Sequence, residues 1–246
     1  MMEGTDFSWV KNAAIRAEVN AEYRRIRDVM ITREAATLNC DLNPKADFYA
    51  GARKIGIEVG RSDGRDCVMF DFEDEAVILQ DYLSMFYASD GTLPRREFVR
   101  KHLHDDNATV RTMCEFWSDY RYTWLRPFRT KTGFGLRCLD LLSGREFFLV
   151  DHWFSKTAAQ GAARLIFTGV HSFGRPELGC VMTGGAGLPF PDCKAEELLA
   201  VLLDELKIAK RPPLELTDAE WSEFVASSVR SALHVMSESG GGIAYS

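Results

Sequence analysis

Residues 120–137, YRYTWLRPFRTKTGFGLR, mark the point where the hydrophobic period of the chain changes. Upstream, apolar residues recur at helical spacing. From Tyr120 onward, short runs rich in branched and aromatic residues alternate with turn chemistry, which is the signature of strands. YTWLRPF, GFGLRCLDLL, EFFLVD, ARLIFTGV and LGCVMT give five such runs, at the spacing of a small antiparallel barrel or curled sheet. Pro127 cannot donate to a ladder, so the first strand lies at an edge or bends there. LSGRE at 142–146 reads as the turn of a hairpin.

The same stretch carries Arg121, Arg126, Arg129, Lys131 and Arg137 among aromatic rings and without a carboxylate, in a chain whose net charge is −6. An overall acidic balance argues against a protein wholly devoted to nucleic acid, yet it leaves room for a local basic patch. Small barrels that hold single-stranded nucleic acid combine cations with stacking rings. Arg121, Trp124, Arg126, Arg129 and Lys131 are therefore the candidate residues for binding nucleic acid or a protein partner. The competing reading makes the rings barrel wall and leaves the arginines in water.

Upstream of the strands the sequence predicts helices as far as residue 118. No Gly or Pro occurs from Ser8 to Leu38, and Ile15, Val19, Tyr23, Ile26 and Met30 share a face, which predicts one long helix capped by Ser8. This N-terminal helix also offers a route to self-association. Asn43 and Pro44 open a second helix stopped by Gly56, and RSDGRD forms a loop. Further helices run over Glu73–Ser89, from Thr92 and Pro94, and from a cap at Asn107. Beyond the strands, GGAGLPFPD reads as a loop leading to a helix capped by Asp192 and running from Lys194 to Ala209. Thr217 and Glu220 then form a capping box for the last helix, and the tail GGGIAYS frays. The expected fold is α+β in three consecutive parts: 1–118 helical, 119–185 a small β-barrel or curled sheet, 186–246 helical.

DYRYTWL at 119–125, LDLLSGREFFLVD at 139–151, WFSKTA at 153–158 and ARLIF at 163–167 follow one another within residues 69–182. On these motifs the segment resembles uncharacterised bacterial proteins found alongside a small zinc motif of the type at the C-terminal tail of the SecA translocase. No zinc-type cysteine cluster follows these residues, so the resemblance implies a strand-rich module and no zinc role.

KHLHDDN at 101–107 brings His102, His104, Asp105 and Asp106 together, residue types suited to a divalent metal and to a metal-dependent hydrolase. Two histidines two apart on a helix diverge, so only an irregular backbone would converge them. Asp151, His152 and His171 form a second polar group, but no GxSxG elbow accompanies them. Asp151 is better read as the end of a strand. The glycines at 184–187 lack the Lys-Ser or Lys-Thr of a phosphate loop. The six cysteines are scattered, with no pair closer than thirteen residues, and are expected to be free buried thiols. No run of eighteen apolar residues is present and no secretory leader is read at the N-terminus, so a cytoplasmic protein without a membrane span is expected, and the resemblance implies a bacterial one. With no cofactor motif and no assembled catalytic motif, the sequence favours a non-enzymatic binding or adaptor module.

Overall fold

The structure is a computed structural model that describes residues 6–43, 46–71, 73–88, 91–161, 164–190, 195–208 and 215–238. The chain forms two compact units, each gathered from separate stretches: residues 1–38, 99–195 and 210–214 in one, and 39–98, 196–209 and 215–246 in the other. The division therefore does not follow the three consecutive segments expected from the sequence. The fold class does: helices, a closed five-stranded barrel, then two more helices.

In the first unit the expected long helix is broken twice. A 3-10 turn, Ser8–Lys11, ends at Asn12, whose side chain accepts from the N–H groups of Ala14 and Ile15 and starts α1 (Ala13–Met30). Ser8 is no helix cap; its hydroxyl donates to Asp6. After Ile31 the Thr32 hydroxyl accepts from Ala35 N–H, beginning α2 (Arg33–Asp41). Val19, Tyr23 and Ile26 of α1 are buried within the unit, where α1 meets α6 (Ala108–Ser118), so the apolar stripe of α1 is largely covered. Asn107 caps α6 as expected, accepting from Thr109 and Val110.

Five strands follow: β3 (Arg121–Lys131), β4 (Gly135–Asp140), β5 (Glu146–Val150), β6 (Leu165–Ser172) and β7 (Cys180–Phe190), closed in the order β3-β4-β5-β7-β6. All neighbours are antiparallel except β5 and β7. This is the connectivity of an OB-type Greek-key barrel. The period of two sends Leu125, Leu136, Cys138, Phe147, Leu149 and Ile166 inward to an apolar core cluster. Beyond Leu125, among the described residues, β3 pairs with β4 alone, which is where Pro127 is tolerated. The register shifts between Pro127 and Arg129, leaving Phe128 as the extra residue of a β-bulge.

GGAGLPFPD is not a loop as far as Phe190; residues 184–190 complete β7 against β6. Its glycines permit close approach: a Cβ on Gly184 would lie 2.3 Å from Tyr120, and one on Gly187 2.6 Å from Phe154. Asp151 ends β5 and also accepts from Phe154 N–H, capping α7 (His152–Ala159), a helix the sequence reading had not separated from the strands.

In the second unit Asp47, rather than Asn43, caps α3 (Phe48–Lys54), while the Asn43 amide donates to the carbonyls of Leu83 and Tyr87. Pro44 lies outside the described residues. RSDGRD is the turn of a hairpin, β1 (Glu58–Ser62) with β2 (Arg65–Met69), so the N-terminal half is not wholly helical. Asp63 and Gly64 both have positive φ, 52° and 78°, the geometry that an Asp-Gly hairpin turn requires. Helices α4 (Glu73–Met85) and α5 (Pro94–His102) come next, α4 ending short of the expected Ser89. Near the C-terminus lie α8 (Ala195–Glu205) and α9 (Asp218–Glu238). Thr217 and Glu220 form the expected box: Glu220 N–H donates to the Thr217 hydroxyl and Thr217 N–H to the Glu220 carboxylate. The expected cap Asp192 and the tail GGGIAYS lie outside the described residues. Among the described residues no helix is long and apolar enough to cross a membrane.

Candidate ligand cleft

The outer face of β3, β4 and β5 is built by register. Arg129 stands opposite Arg137, and Arg137 opposite Phe148, so all three point away from the core. Phe148 is covered by Trp9, whose ring lies 5.2 Å from that of Phe148 and 6.2 Å from that of Phe134. The Trp9 indole N–H donates to the Leu178 carbonyl at 3.1 Å, which anchors residues 6–11 against the barrel.

Between that segment and the strands lies a cleft of about 570 Å³, lined by Asp6, Phe7, Lys11, Arg129, Lys131 and Arg137 among others. Arg137 is held in place: its guanidinium donates to Glu146 and lies 4.8 Å from the ring centre of Phe7 and 5.0 Å from that of Phe128. Lys11, Arg129 and Lys131 are exposed and have no acidic partner among the described residues. Asp6 accepts from the N–H and hydroxyl of Ser8, which hold its carboxyl below the usual range. Two arginines directly across a ladder repel each other. The cleft therefore concentrates positive charge at a cost to the fold.

The residues singled out in the sequence divide into two groups. Arg129 and Lys131 line the cleft. Trp124 is fully buried, its ring 4.7 Å from Phe167, and so belongs to the barrel wall and not to a ligand surface. Arg121 is tied to the buried Asp140, and Arg126 is half-buried just before the bulge. Phe7 and Lys11 escaped notice because nothing in the sequence links them to residues more than 110 positions away.

The polar run at 101–107 comes together only in part. His102 Nδ1 lies 3.3 Å from Asp105, which also accepts from Asn107 N–H; that bond, followed by His102, lowers the Asp105 carboxyl. His104 is exposed, and the Asp106 carbonyl accepts from Arg111. Among the described residues no three His, Cys, Asp or Glu side chains are grouped to hold a metal, so His102, His104, Asp105 and Asp106 form no such set here.

Asp151, His152 and His171 are each engaged elsewhere. Asp151 accepts from Thr183, and His152 Nε2 lies 3.1 Å from the Asn20 side-chain oxygen. His171 is buried against Phe116, and burial holds its pKa down at about 4 despite the nearby Asp119 carboxylate. The thiols of Cys67, Cys114, Cys138 and Cys180 are free. Burial pushes Cys180 up to about 12, and Cys138 further still, so neither is a nucleophile at neutral pH.

No protein-family model matches the chain, and comparison with curated proteins and with solved structures gives no match.

Proposed function

We propose that the protein is a non-enzymatic binding module that holds a flexible anionic ligand in the cleft between residues 6–11 and strands β3 to β5. The observation that carries this reading is the placement of Lys11, Arg129 and Lys131, without acidic partners among the described residues, around one cleft of about 570 Å³. Fold analogy agrees in location: OB-type barrels present extended ligands on the face of their second and third strands, here β4 and β5. The cations favour an anionic occupant, and release of condensed counterions supplies the driving force.

The test is fluorescence anisotropy of labelled oligothymidine and of inorganic polyphosphate, measured at low and at physiological salt. The comparison is with the triple variant Lys11→Ala, Arg129→Ala, Lys131→Ala. The wild-type chain should bind at low salt with a steep salt dependence. Removing three cations should flatten the slope of log K against log salt by about 2 for a single strand. If neither probe binds at low salt, the reading is wrong.

A further inference from the structure

The bulge in β3 does more than accommodate Pro127. Pro127 pairs with Cys138 and Arg129 with Arg137, so Phe128 is inserted between two consecutive ladder positions and has no partner on β4. Bulges re-aim side chains, and this one leaves a large apolar ring 44% exposed in the middle of a strand whose preceding residues are buried or half-buried. An exposed phenylalanine forfeits the free energy of burial. Here it is held against the Arg137 guanidinium at 5.0 Å, and Glu146 fixes that guanidinium in turn. The ring thus stands beside the cleft, next to the Arg137 guanidinium that lines it.

A cleft for inorganic anions has no use for such a ring. A strand with unpaired bases does, because every base offers a π-face that stacks on an aromatic side chain while its backbone tracks the cations. We infer that Phe128 is a base-stacking platform and that the ligand of the cleft is single-stranded nucleic acid. The inference rests on the proposed anion-binding role of the same cleft. In this arrangement Lys11, Arg129 and Lys131 bind phosphates irrespective of sequence, and Phe128 separates an unpaired strand from a duplex or a base-free polyanion.

The experiment compares three probes of equal charge on the full chain: oligothymidine, the same oligomer with abasic sites throughout, and inorganic polyphosphate. The variants are Phe128→Leu, which keeps an apolar residue at the bulge, and Phe128→Trp, which enlarges the π-surface. Wild-type protein should prefer oligothymidine over the abasic strand by roughly five- to a hundredfold, the range of a base–aromatic stack. Phe128→Leu should erase that preference while leaving polyphosphate binding unchanged, and Phe128→Trp should keep it. Equal binding of all three probes by wild-type protein overturns the stacking role but leaves the anionic cleft standing. So does a preference that survives in Phe128→Leu. Binding of none of the probes removes the anionic cleft itself.

Discussion

Arg121 donates to Asp140 at 3.1 Å across the start of the barrel, and Asp140 is completely buried. The same carboxylate accepts from the hydroxyls of Thr123 and Ser143 and from the N–H groups of Leu142 and Ser143. One side chain thereby fixes the first strand of the barrel to the β4–β5 turn.

Removing that carboxylate orphans five donors, while removing Arg121 orphans one side of a bond that is partly open to water. Asp140→Ala should therefore cost about 3–5 kcal/mol, and Arg121→Ala distinctly less. Urea denaturation of both variants checks the order, and equal losses would mean that the knot is not centred on Asp140.

Arg129 and Arg137 face each other across the ladder. Arg129→Ala should raise stability by about 0.5 kcal/mol at low ionic strength, a gain that fades as salt screens the pair. The same change should weaken anion binding. Thermal unfolding at two salt concentrations, set beside anisotropy, shows whether stability and binding move in opposite directions.

Tyr120 fills space that Gly169 and Gly184 leave open. A Cβ on Gly169 would lie 2.0 Å from its hydroxyl oxygen, and one on Gly184 2.3 Å from both its hydroxyl oxygen and its ring. Gly169→Ala should cost about 1–3 kcal/mol by overpacking. Combining it with Tyr120→Leu should recover part of the loss relative to the sum of the single changes. A double variant as unstable as that sum would show that the steric account is mistaken.

His171 is neutral and buried, with Glu22 and Glu115 lining the small cavity on its outer side and Asp119 nearby. Its pKa of about 4 lies below the ordinary 6.5, so below pH 6.5 the unfolded chain takes up a proton that the folded one refuses. Stability contributed by this group is intact above pH 6.5 and is lost progressively as pH falls to 4, by up to about 3 kcal/mol. Denaturation midpoints across that window should fall more steeply for wild-type protein than for His171→Phe. Identical pH profiles would remove His171 from the account.

The barrel was legible because its strands are short runs of branched and aromatic residues bounded by ordinary turn residues. Asn107 and the Thr217–Glu220 box were legible because caps are local chemistry. What stayed hidden depended on partners distant in sequence. The glycines at 184–187 look like a loop until Tyr120 and Phe154 occupy the room they leave. The β1–β2 turn was missed although Asp63-Gly64 is a hairpin signal, because the surrounding helical pattern outweighed two short strands. For the cleft, Arg129 and Lys131, which have no acidic partner among the described residues, lie in the stretch 120–137, whereas Lys11 and Phe7 join them only through the seating of Trp9. By residue type alone Trp124 reads as a stacking ring; burial assigns the exposed ring to Phe128, and the register reveals the bulge that puts it there.

The bond from Trp9 to the Leu178 carbonyl spans 169 positions of chain. On a ribosome adding about 5–20 residues per second, the indole waits on the order of ten to thirty seconds for its acceptor to be made. Until then the Trp9 ring has no carbonyl to hold it, so this wall of the cleft is seated only after strands β3 to β6 have been made.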